Sequence, residues 1–216
     1  MKMRHLVAAA ALSIPSLLSA QVVFEATYSV QQRGKDIGTE HVVLRNAPGG
    51  TSTSGLKLEF EGKFPANGET LRGSLARGSD GTLDQLQLEV RRGSATETLR
   101  AAQRGNRIYI TVSSAQGSRG GKEIPGGPGV ILLDEQLQAL LLLVADLATT
   151  DGTRVTAVYP RSGQRAVITA KRVAGPRGAV VELSGDLTGS MQLDANGRVD
   201  RMELPQSGIV VTRLPS

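Results

Sequence analysis

The sequence contains no cysteine and no tryptophan among its 216 residues, and only 3% of them are aromatic. The absence of cysteine excludes disulfide bonds, thiol nucleophiles and thiolate metal ligands, so packing alone must hold the fold together. The scarcity of aromatic side chains argues against a nucleic-acid partner, because single-stranded bases are bound by stacking on aromatic rings.

Concentrated positive charge is also missing, although the chain carries a formal net charge of +5. The arginines are scattered singly, apart from Arg91 and Arg92, whereas nucleic-acid binders group them in a patch. Scattered arginines are typical of the solvent faces of strands. We therefore expect peripheral contact with a membrane at most.

Motifs for catalysis are incomplete. Residues 50–54 lack the final glycine of the G-x-S-x-G motif, and residues 121–123 end in glutamate where a phosphate loop needs serine or threonine. His41 is the single histidine outside the first 20 residues, which is too few for a usual zinc site. We expect no enzyme activity, metal or cofactor; a hydrolase of unrecognised type that uses His41 or Ser52 stays open as an alternative.

The first 20 residues have the composition of a secretory signal peptide. Lys2 and Arg4 precede an apolar run at 6–18, and the small residue Ala20 stands at the expected cleavage site. The run is shorter than the ~20 residues that span a bilayer, which disfavours the alternative of a retained anchor. We expect export to the periplasm, or secretion, in a bacterium, with residues 21–216 forming a single β-rich domain.

Alternating apolar and polar residues recur along most of the chain, which predicts strands with one buried face. Turn signals such as Asn196-Gly197 separate them and favour hairpins. We predict a mainly β fold, a large curled antiparallel sheet (open or a half barrel) around one α-helix. Its roughly ten or eleven strands are expected, with some fusions, within 22–32, 37–46, 52–62, 68–78, 82–92, 95–103, 106–113, 153–159, 164–173, 178–184, 187–194, 199–204 and 208–213.

Two segments interrupt this pattern. Residues 114–129 are rich in glycine and proline, which predicts a flexible loop. Leucines at helical spacing follow and predict the one helix, near 134–148, with Asp134 as its N-cap. The apolar face of such a helix must be covered, and the concave face of the sheet is the natural partner.

Two short motifs suggest a family. Tyr28-Ser29-Val30 followed by Gly34-Lys35-Asp36-Ile37-Gly38 resembles bacterial exported β-rich proteins of unknown function, similar in outline to the outer-membrane lipoprotein carrier half-barrel. The stretch from 131–134 through 158–160 is similar to β-domains that precede α/β-hydrolases in some exported enzymes. The resemblance implies binding of an apolar molecule rather than a reaction, and it assigns no functional residue.

The preferred hypothesis is therefore an exported protein that binds a lipid or other apolar ligand between sheet and helix, with the 114–129 loop controlling entry. An envelope scaffold or protein-interaction module with a filled core, binding an envelope protein at an exposed sheet edge, is the main alternative. The predicted ligand-binding residues are Tyr28, Leu58, Phe60, Leu137, Leu140, Leu141 and Val144.

Overall fold

The computed structural model describes residues 21–47, 55–176 and 178–215. They form fifteen strands, one short α-helix and two 3₁₀ helices, Pro65–Asn67 and Gln138–Leu141. The α-helix, α1, is Leu142–Leu147. The strands are β1 Val22–Gln32, β2 Lys35–Ala47, β3 Gly55–Phe64, β4 Glu69–Arg77, β5 Leu83–Arg92, β6 Ala95–Arg104, β7 Arg107–Ser114, β8 Gly117–Pro125, β9 Val130–Leu132, β10 Thr153–Val158, β11 Arg165–Gly175, β12 Gly178–Gly185, β13 Gly189–Leu193, β14 Val199–Leu204 and β15 Ile209–Arg213.

All fifteen strands belong to one sheet, in the order β8-β7-β6-β5-β4-β3-β2-β1-β15-β14-β13-β12-β11-β10-β9. Each strand pairs antiparallel with its neighbour except β9, which runs parallel to β10. The two edge strands β8 and β9 follow each other in sequence, and Lys122 of β8 lies beside Gly163 in the turn after β10. The sheet therefore curls until its edges approach without joining, which confirms the predicted mainly β fold with a large open sheet.

The period-two pattern explains how the sheet gets its two faces. In β1, for example, Tyr28 and Val30 are buried while Glu25 on the other face is exposed. The same phase continues across the neighbouring strands, where Val42 in β2 pairs with Phe60 in β3. The inward side chains form one continuous apolar core.

Strand β8 corrects the prediction of a loop at 114–129. Residues 117–125 pair with β7, and the Ile124 side chain is buried opposite Ile108. Glycine has a low strand propensity, but the ladder with β7 and the burial of Ile124 outweigh it. A register shift between Ile110 and Val112 accommodates the glycine-rich part.

The helical region is also shorter than predicted. Instead of one helix near 134–148, a turn at Asp134 leads to extended backbone at Leu137, then to the 3₁₀ helix and α1. The Asp134 side chain accepts the backbone N–H groups of Gln136 and Leu137, whereas Glu40 of β2 accepts that of Gln138. Asp134 thus caps a single turn, and the extended backbone at Leu137, with the Gln138 N–H bound by Glu40, interrupts it, so the regular α-helix begins only at residue 142.

Residues 133–148, called the central insert below, connect β9 to the parallel strand β10. Parallel neighbours require such a crossover. The insert runs inside the curl from the end of the sheet that carries the β1–β2 turn to the opposite end. We call these the first end and the second end.

Candidate functional site

The interior between the central insert and the sheet is filled. Apolar side chains are buried on all sides of the insert, as expected for a helix enclosed by its own protein. Each predicted ligand-binding residue is at most 4% exposed: Tyr28, Leu58, Phe60, Leu137, Leu140, Leu141 and Val144.

Tyr28 illustrates how these residues are used. Its hydroxyl donates a hydrogen bond of 2.8 Å to the Val199 carbonyl, and burial raises the pKa of the phenol. The cavity that Tyr28 and Leu58 share with Leu143 measures about 30 Å³, which is enough for one water. The use of these residues for a ligand remains a prediction, and in this structure they pack against one another.

Ionisable side chains hold the insert at both ends. At the first end Glu40 accepts the Gln138 N–H at 2.8 Å, and its other carboxylate oxygen is buried with no hydrogen-bond partner among the described residues. Burial raises the pKa of Glu40 to about 8. At the second end buried Arg77 donates to the Leu143 carbonyl and to Asp146, each at 3.3 Å. These contacts fix the insert relative to the sheet.

A larger opening lies at the first end, between the start of the insert and strands β11 to β15. This cleft has a volume of about 360 Å³, within the range of 300–1,000 Å³ typical of small-molecule sites. Its apolar lining comes from both sides: Leu133, Leu141, Tyr159, Ala166, Leu187, Leu204 and Ile209. Leu141 is the one predicted ligand-binding residue that borders it.

The rim of the cleft is polar. Glu135, Arg165 and Asp186 are exposed there, and Ser207 is partly buried. Burial, together with the charge of Glu135, raises the pKa of the Tyr159 phenol, so this hydroxyl stays neutral at ordinary pH. The buried side chains of Asp134 and Gln138 add polar groups to the largely apolar interior. Such a cleft suits a ligand that has an apolar body and a polar head.

A second opening at the same end, the charged pocket, measures about 240 Å³. Glu69, Glu97, Arg92 and Arg161 supply its charges. Arg92 pairs with one oxygen of Glu69, while the other oxygen is buried and has no hydrogen-bond partner among the described residues. Arg161 lies 3.7 Å from Glu97 and 3.2 Å from Asp134.

The electrostatics of Arg161 link the acids of this region. Burial alone would lower the pKa of its guanidinium, but the facing carboxylates of Asp134, Glu69 and Glu97 raise it overall. The positive charge of Arg161 therefore interacts with several carboxylates at once. The turn between β10 and β11 contributes Arg161 to the charged pocket and Tyr159 to the cleft.

Sequence reasoning missed these buried charges, although a signal for them exists. Glu40 shares the inward phase of β2 with Val42, and Glu69 shares that of β4 with Leu71. An acid at an inward position of an otherwise apolar strand face indicates a buried carboxylate. Catalytic motifs are defined by the spacing of their residues and do not include this phase.

The structure describes one of the two candidate hydrolase residues, His41. His41 lies on the outer face, with its Nδ1 3.2 Å from the Thr27 hydroxyl and its Nε2 3.4 Å from Glu25. These contacts are ordinary ones between neighbouring strands, because Thr27 in β1 pairs directly with His41 in β2. Ser52 lies outside the described residues.

The described part of the chain has neither a metal-binding cluster nor a membrane-spanning helix. No group of three or more histidine, aspartate or glutamate side chains there could hold a metal ion. None of the helices there is long and apolar enough to cross a membrane.

Comparison with known proteins finds a distant structural neighbour. No family model and no curated protein matches the chain. The crystal structure of a DUF1089 family protein from Pseudomonas aeruginosa aligns over 92% of this chain and 98% of its own, with 13% sequence identity and a TM-score of 0.42. The comparisons do not confirm the resemblance to outer-membrane lipoprotein carriers.

Proposed function

We propose that this protein is an exported bacterial protein that binds a lipid or another small amphipathic ligand without catalysis. The observation that carries the proposal is the cleft between the start of the central insert and β11–β15. Its apolar lining accepts a hydrocarbon body, and its exposed charges remain available to a polar head.

The volume of the cleft sets the class of ligand. About 360 Å³ lies near the lower end of the range for ligand sites. A single acyl chain or a compact amphiphile suits this space, whereas a multi-chain lipid does not. The narrow cavity at Tyr28 and Leu58 offers no extension of it while the insert stays in place.

The first test is native mass spectrometry of the protein recovered from a bacterial periplasm, followed by solvent extraction. A bound mass that extracts as a lipid supports the proposal and identifies the ligand class. Recovery from the periplasm also tests export, because a protein retained in the cytoplasm contradicts that part of the proposal.

The second test places an acid in the cleft. Leu187 is partly buried and lines the cleft, so Leu187→Asp should weaken binding of dodecanoate about ten-fold or more, since a carboxylate then faces the chain. Leu214→Asp is the matched control, because Leu214 is exposed and does not line the cleft. Equal affinities of the two variants would refute the assignment of the cleft.

A second function, binding of an envelope protein, is favoured by the free edge of the sheet. Within the described residues β8 has one hydrogen-bonded neighbour, β7, so its other edge is open to strand addition. Lys122 and Pro125 on β8 reduce this tendency. Co-purification with one protein, without extractable lipid, would favour this function over the first.

A further inference from the structure

The charged pocket at the first end contains an unsatisfied acceptor. The Glu69 side chain is fully buried, and one of its carboxylate oxygens has no hydrogen-bond partner among the described residues. A buried carboxylate oxygen without a donor costs free energy, because it has lost its hydration. Glu69 also lines a pocket of about 240 Å³, so a ligand in this pocket lies next to its carboxylate.

The balance of charge indicates which donor is missing. Three acids, Glu69, Glu97 and Asp134, face two arginines, Arg92 and Arg161. Arg92 is engaged by Glu69, and Arg161 is shared between the other two acids. One negative charge in this group of side chains is therefore left uncompensated.

The walls of the pocket limit the size of the ligand. Small or short side chains, including Ala95, Thr96 and Ala115, surround the charged groups, and Val90 adds an apolar surface. A slender aliphatic stem fits between them, with its charged end next to Glu69.

We propose that the charged pocket binds a small organic cation, a primary ammonium or guanidinium on a short aliphatic stem, with Glu69 as its acceptor. Such a group supplies the missing donor and positive charge together, and charge-assisted hydrogen bonds are the stronger kind. The pocket shares no lining residue with the cleft, although Asp134, which borders the cleft, pairs with Arg161 of the pocket. The proposal does not depend on the amphiphile that we propose for the cleft.

Agmatine, which carries both an ammonium and a guanidinium group, is the probe for a titration followed by calorimetry. We expect one-to-one saturable binding that Glu69→Gln weakens about ten-fold or more, because the amide carries no charge. Glu203→Gln is the matched control: Glu203 is an exposed glutamate on β14, so its loss changes the net charge equally. The control should bind as the wild type does.

Amide NMR shifts of the wild type provide a readout that does not depend on any variant. Agmatine should shift the signals of Ala95, Thr96 and Ala115 and leave those of Leu187 and Ile209 in the cleft unchanged. If Glu69→Gln does not fold, Glu97→Gln replaces it and should weaken binding about three-fold. The proposal is wrong if agmatine shows no saturation up to about 10 mM, if Glu203→Gln weakens binding as much, or if the shifts map elsewhere.

Discussion

Replacement of Glu40 by glutamine should change how stability depends on pH. In the folded protein burial raises the pKa of Glu40 to about 8 from its usual 4.5, so this carboxyl is protonated at neutral pH. The unfolded chain ionises it above 4.5. Its favourable contribution to stability is therefore complete below pH 4.5 and is lost as the pH rises through about 8.

The interval between the two pKa values gives the magnitude. At about 1.4 kcal/mol per pH unit it corresponds to about 5 kcal/mol in total, with about 3 kcal/mol of it between pH 5 and pH 8. The amide oxygen of glutamine still accepts the Gln138 N–H, and the side chain does not titrate. Relative to the wild type, Glu40→Gln should thus gain about 3 kcal/mol across this range.

Urea unfolding followed by circular dichroism at pH 5, 6, 7, 8 and 9 measures this difference. Glu182→Gln makes the same substitution at an exposed position of β12 and should run parallel to the wild type. A difference between Glu40→Gln and the wild type that stays constant from pH 5 to 9 would refute the reasoning. It would mean that Glu40 is ionised in the folded protein to the same extent as in the unfolded chain over this range.

Two further substitutions test the contacts that shape the sheet and hold the insert. Arg77→Leu removes the donors to the Leu143 carbonyl and leaves Asp146 with the more distant Arg198 as its partner. It should lower the free energy of unfolding, measured with urea, by about 2 kcal/mol. Gly73→Ala should lower the melting temperature by several degrees, because the added Cβ would overlap a backbone carbonyl of β5. Gly121→Ala is the control: its added Cβ would lie 3.8 Å from the nearest atom, so the melting temperature should stay nearly unchanged.

The strands were predictable because a local signal determines them. Alternation of period two defines which side chains face inward, and burial of Tyr28, Phe60 and Ile110 follows it. Strand β8 escaped prediction because its pairing is decided by β7, and its own glycines carry no alternation. The short helix was overestimated for a similar reason, since Glu40, 98 residues away in sequence, takes the N–H of Gln138.

The candidate sites depended still more on tertiary structure. The cleft combines the insert with turns after β10, β12 and β14, and no local motif connects these segments. The charged pocket unites Glu69 with Arg161, which lie in opposite halves of the chain. What the sequence does contain is the inward phase of Glu69, from which burial follows but not the identity of the groups around it.

The contacts at both ends of the insert constrain how a ligand could enter. Displacement of the whole insert would break the Glu40 contact at one end and the Arg77 contact at the other, and it would leave Arg77 without its partners. Entry through the cleft breaks neither contact, because Leu187 and Ile209 at its margin are already partly exposed. Asp134 and Gln138, which act on the pKa of Glu40, also line the cleft, so a ligand bound there should shift the pH dependence that Glu40 produces.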